Sequence, residues 1–140
     1  KLESIVESQK YKYRFDVFLS HSIRDAEFVL GVANILEKME QKVYIDWVVD
    51  KQLSRDSVTK ETAETLRNRM KQSSKLLYLA TDNASSSKWM PWELGYFDGL
   101  KSGNVAILPL VDSAYSSFQG QEYLGIYPAL GKDDLRGFLG

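Results

Sequence analysis

Apolar positions along this chain fall into two alternating kinds of run. Short, nearly continuous apolar runs occur at about residues 14–20 (Phe15, Val17, Phe18, Leu19), 43–46 (Val43, Tyr44, Ile45), 75–80 (Leu76 to Ala80) and 104–111 (Val105 to Val111). Runs of that length, apolar on both faces, predict buried strands of a parallel sheet. Between them the spacing turns helical. Arg24 to about Met39 puts Phe28, Val32, Ile35, Leu36 and Met39 on one core-facing stripe, with Asp25 and Glu27 in the first turn and Lys38 near the end, as the helix macrodipole favours. A second helix is expected from about Asp56 to Gln72, capped by Ser54 or Asp56, with Ala63, Leu66 and Met70 buried. A third runs from Trp89 to about Leu100 with Leu94, Phe97 and Leu100 inward. Pro91 is tolerated there because it falls in the first turn, and Gly103 closes the helix. Asp46 to Ser54 and the Ser-rich Thr81 to Lys88 read as loops, and the aromatic-rich segment beyond Asp112 as irregular structure with short helical turns.

Strand and helix in alternation predict an α/β fold, a parallel sheet of four or five strands covered by helices with right-handed crossovers. In such sheets function gathers at the carboxyl ends of the strands. Those ends are Ser20-His21-Ser22, Asp46-Trp47, Thr81-Asp82-Asn83 and the loop after Val111. At 140 residues and 44% hydrophobic, the chain fits one domain over 1–140, with its core at about 14–111 and an irregular segment at 112–140. The lack of an initiator Met and the ending Leu135 to Gly140 suggest a piece of something longer.

Charge and residue usage narrow the chemistry. A formal net charge of -1 removes the argument for nucleic acid as a partner, which needs a basic face. With no Cys, and His21 the one imidazole, neither a disulfide framework nor a metal site is expected, and a reducing, cytoplasmic setting fits best. No run approaches the apolar length of a membrane span, and the N-terminal segment is too charged for a signal peptide. Neither GxGxxG nor GxxxxGK[ST] follows a strand, so ordinary dinucleotide or nucleoside triphosphate binding has no support. A Ser-His-Asp triad can be written from Ser20, His21 and several aspartates, but adjacent residues on a strand end point different ways and there is no nucleophile elbow, which argues against it.

The most informative stretch is Trp89-Met90-Pro91-Trp92-Glu93-Leu94, which sets a carboxylate one helical turn after an indole in a segment otherwise built for burial. Ionised side chains are seldom buried without a partner, so Glu93 either snorkels to solvent or lines a cleft. Trp89 is either core or the wall of such a cleft, and Trp47 carries the same two readings.

These stretches together resemble a known family. FDVFLSHS (Phe15 to Ser22) resembles the first conserved box of the Toll/interleukin-1 receptor (TIR) domains, and VYIDW (Val43 to Trp47) the family's second strand and the start of its BB loop. WMPWEL (Trp89 to Leu94) is similar to the family's W-x-x-x-E element, whose glutamate is catalytic in NAD-cleaving members. The boxes run in the family's order from about Arg14 to Val111. The Pro-Gly pair common in the BB loop is missing, with Arg55-Asp56 near its place, which argues against receptor-style adaptor docking. The resemblance implies the flavodoxin-like three-layer form of the α/β fold. It also implies cleavage of the nicotinamide–ribose bond of NAD, to ADP-ribose or a cyclic isomer, in immune or antiphage signalling. NAD would be substrate rather than cofactor, and self-association through TIR–TIR contacts would complete the site.

The residue chemistry agrees with that implication. Nicotinamide in NAD is already a cation and leaves neutral, so no general acid is needed, and one carboxylate facing an oxocarbenium-like ribose meets the demand. Glu93 is the candidate catalytic group. Trp89 would wall the ribose pocket, Trp47 would stack on a ring, and Ser20, His21 and Asp46 would hydrogen-bond ribose or pyrophosphate. The rival reading is a non-catalytic TIR–TIR interaction module with Glu93 at the surface. A nucleoside-processing transferase of similar α/β build is the third.

Overall fold

The four apolar runs become the four strands of one sheet: β1 (Phe15–Ser20), β2 (Val43–Tyr44), β3 (Ser73–Ala80) and β4 (Val105–Pro109). The computed structural model describes residues 14–53, 57–109 and 122–140. Strand order is β2-β1-β3-β4 and every pair is parallel, as continuous apolar runs require. β2 is shorter than expected and β3 begins two residues earlier. Leu130 N–H donates to Ile107 O and Ile107 N–H to Pro128 O, both at 2.8 Å, so Ala129 adds a single parallel bridge beside β4.

Among the described residues the α-helices are α1 (Ala26–Lys38), α2 (Asp46–Val49), α3 (Lys60–Lys71), α4 (Met90–Leu100) and α5 (Leu135–Leu139). They cover both faces. On one side Leu66 and Met70 of α3 and Leu94 and Phe97 of α4 pack on Phe18, Leu76, Tyr78 and Ile107. On the other, Val29, Val32, Ala33 and Leu36 of α1 pack on Val17, Leu19, Leu77 and Leu79, with Leu130 and Leu135 closing the layer. This is the three-layer α/β arrangement. Strand alternation would send Phe15 and Val17 to the same face, yet they join opposite cores. Asp16 N–H and Val17 N–H both donate to Lys42 O, at 2.7 and 3.1 Å, and this pinch reverses the alternation at the start of β1.

Several expectations are corrected. Asp46 to Val49 is a short helix rather than loop, because Val48 N–H and Val49 N–H both return to Ile45 O. α3 starts at Lys60 and is capped by Thr59, whose hydroxyl accepts from Thr62 N–H at 3.2 Å; the expected caps Ser54 and Asp56 lie outside the described residues. The buried stripe of α1 is Val29, Val32, Ala33 and Leu36, rotated by one residue from the expected one, so Phe28 and Ile35 stand 47% and 45% exposed. Leu100 is likewise exposed, at 40%. A helix with two overlapping apolar stripes leaves the choice to the sheet, and here the narrower Val and Ala side chains face it. Leu124, Leu130 and Leu135, all beyond residue 111, are buried in the two cores.

Candidate active site

Order β2-β1-β3-β4 places a topological switch point between β1 and β3: the chain leaves β1 for one neighbour and later returns to its other side. A crevice opens at the carboxyl ends of strands where the order reverses in this way. Ser20 ends β1, and α4, entered from β3, carries Glu93 in its first turn. Both side chains are wholly buried, and Ser20 Oγ donates to Glu93 Oε1 at 2.8 Å. Helical periodicity does the rest: Glu93 N–H donates to Trp89 O at 2.8 Å, so the indole sits one turn before the carboxylate. The expected surface position for Glu93 in the rival reading is therefore not what the fold builds.

Trp89 stands at the N-cap position of α4. It is buried in the core under α3 and α4, edge-on to Trp92 with ring centroids 5.2 Å apart, and it also lines an open cleft of about 180 Å³. Trp92 in turn stacks on Tyr96 at 5.7 Å, with the Arg67 guanidinium 5.5 Å from its ring centroid. The aromatic row fixes the start of α4. Ser87 Oγ accepts from Met90 N–H at 3.2 Å, and Pro91 occupies the first turn, where no backbone donor is needed.

His21, Asp46 and Trp47 form a second group on the opposite face. As neighbours on a strand end, Ser20 turns toward α4 while His21 turns toward α2. His21 Nδ1–H donates to Leu19 O at 2.9 Å, and Trp47 Nε1–H donates to His21 Nε2 at 3.0 Å. An indole N–H only donates, so Nε2 presents a lone pair and the ring is the uncharged Nδ1–H tautomer. Asp46 Oδ1 accepts from Trp47 N–H at 2.7 Å and lies 3.9 Å from His21 Nε2. The six candidate residues thus divide into Ser20, Glu93 and Trp89, of which Trp89 lines the cleft, and His21, Asp46 and Trp47 beside them across β1.

One rim network was missed in the sequence. Asp25 is buried, and its carboxylate accepts from Thr81 Oγ1 at 2.5 Å and from Asn83 Nδ2 at 2.7 Å, tying the segment after β1 to the segment after β3. Asp25 reads as a first-turn helix acid, and only its burial marks it as a rim brace. A second buried network lies away from the rim. Asp50 takes a two-pronged ion pair from Arg69, Nε at 2.9 Å and Nη2 at 2.8 Å, and a hydrogen bond from Tyr44 Oη at 2.8 Å. Burial first, and then Asp50, push the Tyr44 phenol far above its ordinary range. Burial is the largest single influence on Arg69 and opposes its charge, but hydrogen bonding to Asp50, the attraction of its carboxylate and the contact with Tyr44 together outweigh it and raise the guanidinium further. Among the described residues there is no acidic or imidazole cluster able to hold a metal ion, and no helix long and apolar enough to cross a membrane.

Comparison with known proteins points the same way. A family model described as TIR domain matches residues 17–130. A protein of Bacillus cereus (strain MSX-D12), named "Probable 3' cyclic ADP-D-ribose synthase ThsB'", is 52% identical over 119 residues, which is 84% of this chain and 61% of that protein. A Cytobacillus dafuensis protein provisionally named cyclic ADP-D-ribose synthase TIR2 is 34% identical over 83 residues, 59% of this chain and 22% of its own length. The chain thus spans less than two thirds of either relative.

Proposed function

The chain belongs to the TIR domain family, and from that premise we propose that it cleaves the nicotinamide–ribose bond of NAD, with Glu93 as the catalytic residue. The observation that carries this reading is the placement of Glu93: a wholly buried carboxylate at the switch-point rim, oriented by the Ser20 hydroxyl and one turn from a cleft-lining indole.

In the reaction the bond between ribose C1′ and the pyridinium nitrogen breaks and its electron pair goes to nitrogen, so nicotinamide departs uncharged. Positive charge grows on C1′ and the ring oxygen. A carboxylate already held in place stabilises that charge without reorganising at the moment of reaction. Glu93 supplies the charge, and Ser20 fixes its rotamer. Trp89 walls the site from water, which strengthens the electrostatics. His21 holds Trp47 and the start of α2 beside the site rather than acting as a base, since its Nε2 lone pair is engaged by the indole.

An oxygen then adds to C1′ and loses its proton. If the oxygen comes from water the product is ADP-ribose; if it is a hydroxyl of the same molecule the product is a cyclic ADP-ribose. The names of both relatives favour the cyclic outcome. A cleft of about 180 Å³ is small beside the roughly 300–1,000 Å³ that encloses a drug-sized ligand, so the dinucleotide extends past it. Self-association of the domain would supply the remaining wall. Concentrated protein incubated with NAD should therefore release nicotinamide, and mass spectrometry should find a partner product lighter than ADP-ribose by one water. Absence of nicotinamide at every protein concentration would leave the interaction-module reading in its place.

A further inference from the structure

We propose that the cleft between the segment following β1 and the segment entering α4 is the diphosphate subsite of this enzyme, with Arg24 and Lys88 as its positioning cations. The inference rests on the reading that NAD is the substrate. The two walls of the cleft continue directly from the two ends of the Ser20–Glu93 contact: Ser22 and Arg24 follow Ser20, while Ser87, Lys88 and Trp89 precede Glu93. Among the described residues its lining holds two cations and no carboxylate. Its hydroxyls are oriented as well. Ser22 Oγ accepts from Arg24 N–H at 3.3 Å and Ser87 Oγ accepts from Met90 N–H at 3.2 Å, so each has its hydrogen available to donate outward.

Such a cleft suits an anion, and the chemistry of the substrate says which. In NAD the ribose that loses nicotinamide carries the diphosphate on its C5′, only a few bonds from C1′. A substrate whose C1′ faces Glu93 therefore brings its own negative charge close to that carboxylate. Like charges at short range in a partly dry site repel strongly. A counter-charge on the far side of the ribose offsets this repulsion and fixes the direction in which the dinucleotide lies. Arg24 and Lys88 are exposed at the mouth of the cleft, where they meet the phosphates as charge-assisted donors. α4, opening at Met90, adds the positive end of an eleven-residue helix beside them.

The test is R24Q/K88Q. Both side chains are exposed, so the melting temperature should hold. Inorganic pyrophosphate and ADP-ribose, titrated into each protein by calorimetry, should bind the double variant roughly 100-fold more weakly, about tenfold for each charged hydrogen bond lost. In turnover, KM for NAD should rise by a similar factor with kcat changing far less, the pattern of lost uniform binding. KM for nicotinamide riboside, which has no diphosphate, should stay within about twofold. Equal pyrophosphate affinity in the two proteins, or no pyrophosphate binding by the natural chain, overturns the subsite. Pyrophosphate binding that R24Q/K88Q abolishes, in a chain that never releases nicotinamide, upholds the anion cleft and refutes the proposed reaction instead.

Discussion

Asp50 and Glu93 are both buried carboxylates on the same side of the sheet, and they are built to opposite ends. Asp50 lies beneath β2, gripped by both prongs of Arg69 and by the Tyr44 hydroxyl, with Arg69 also lying over the Phe15 and Tyr44 rings. Its charge is answered on the spot by a cation, and the network ties α3 to β2 and the end of α2. Glu93 is met by a neutral hydroxyl at the strand-end rim, beside an indole that faces a cleft. A carboxylate matched to a guanidinium stabilises a fold by geometry. Glu93 accepts a hydroxyl hydrogen bond one helical turn from a cleft-lining indole, the position from which we propose that it answers the positive charge developing on a substrate. Burial is common to both carboxylates; what differs is the partner described above, a guanidinium for Asp50 and a hydroxyl for Glu93, and the cleft-lining indole one turn before Glu93.

Asp50→Asn should show the largest effect, and on stability. It leaves the Arg69 guanidinium buried without its counter-charge, a loss of roughly 3–5 kcal/mol for a broken buried pair. Chemical denaturation should read it as a lowered midpoint, while the folded fraction keeps its turnover. Glu93→Gln should do the reverse. Nicotinamide release falls about a hundred- to a thousandfold, roughly 2.7–4 kcal/mol of transition-state stabilisation, and the melting temperature stays level or rises because active-site charges often cost stability. If Asp50→Asn silenced the chemistry of the folded protein and Glu93→Gln left it near normal, the contrast would be reversed and the interaction-module reading restored.

Ser20→Ala sharpens the contrast within the site. Removing a hydrogen bond to a charged group is worth about 1.5–3 kcal/mol, so turnover should drop roughly ten- to a hundredfold, with kcat moving more than KM for NAD. An unchanged kcat would mean that the hydroxyl does not orient Glu93. Tyr44→Phe probes the Asp50 network most gently. The folded-state pKa of Tyr44 is raised above the unfolded value near 10, so its contribution to stability is complete below about pH 10. Above that the unfolded chain ionises while the folded one does not, and the contribution is lost as pH rises. The natural chain should lose melting temperature above about pH 10 more steeply than Tyr44→Phe, whose cost at neutral pH is about 1 kcal/mol or somewhat more. Parallel alkaline slopes in the two proteins would remove Tyr44 as the cause.

The strands were legible because a run apolar on both faces has one common resting place, the middle of a parallel sheet. That is why β1, β3 and β4 fall where the runs fall. The helices were legible in extent but not in rotation. α1 carries two overlapping apolar stripes, and Phe28 and Ile35 belong to the one that the sheet does not take. The short α2 was hidden because Asp46-Trp47-Val48-Val49 spans barely one turn, too few residues for a period to show.

What the sequence determined by itself is the alternation of elements, the parallel sheet, the rim at its carboxyl ends, and Glu93 as a carboxylate out of keeping with its apolar neighbours. These are local properties, set by the spacing of side chains along a chain whose elements repeat every two or 3.6 residues. Only the tertiary structure decided which acid meets which partner. Ser20 and Glu93 lie 73 residues apart, Asp25 and Thr81 56, and Asp50 and Arg69 19. Such pairs exist only once strand order brings β1 beside β3 and lays α3 under β2. Since one carboxylate sits against a guanidinium and the other against a hydroxyl one turn from a cleft-lining indole, their difference is written in space rather than in residue type.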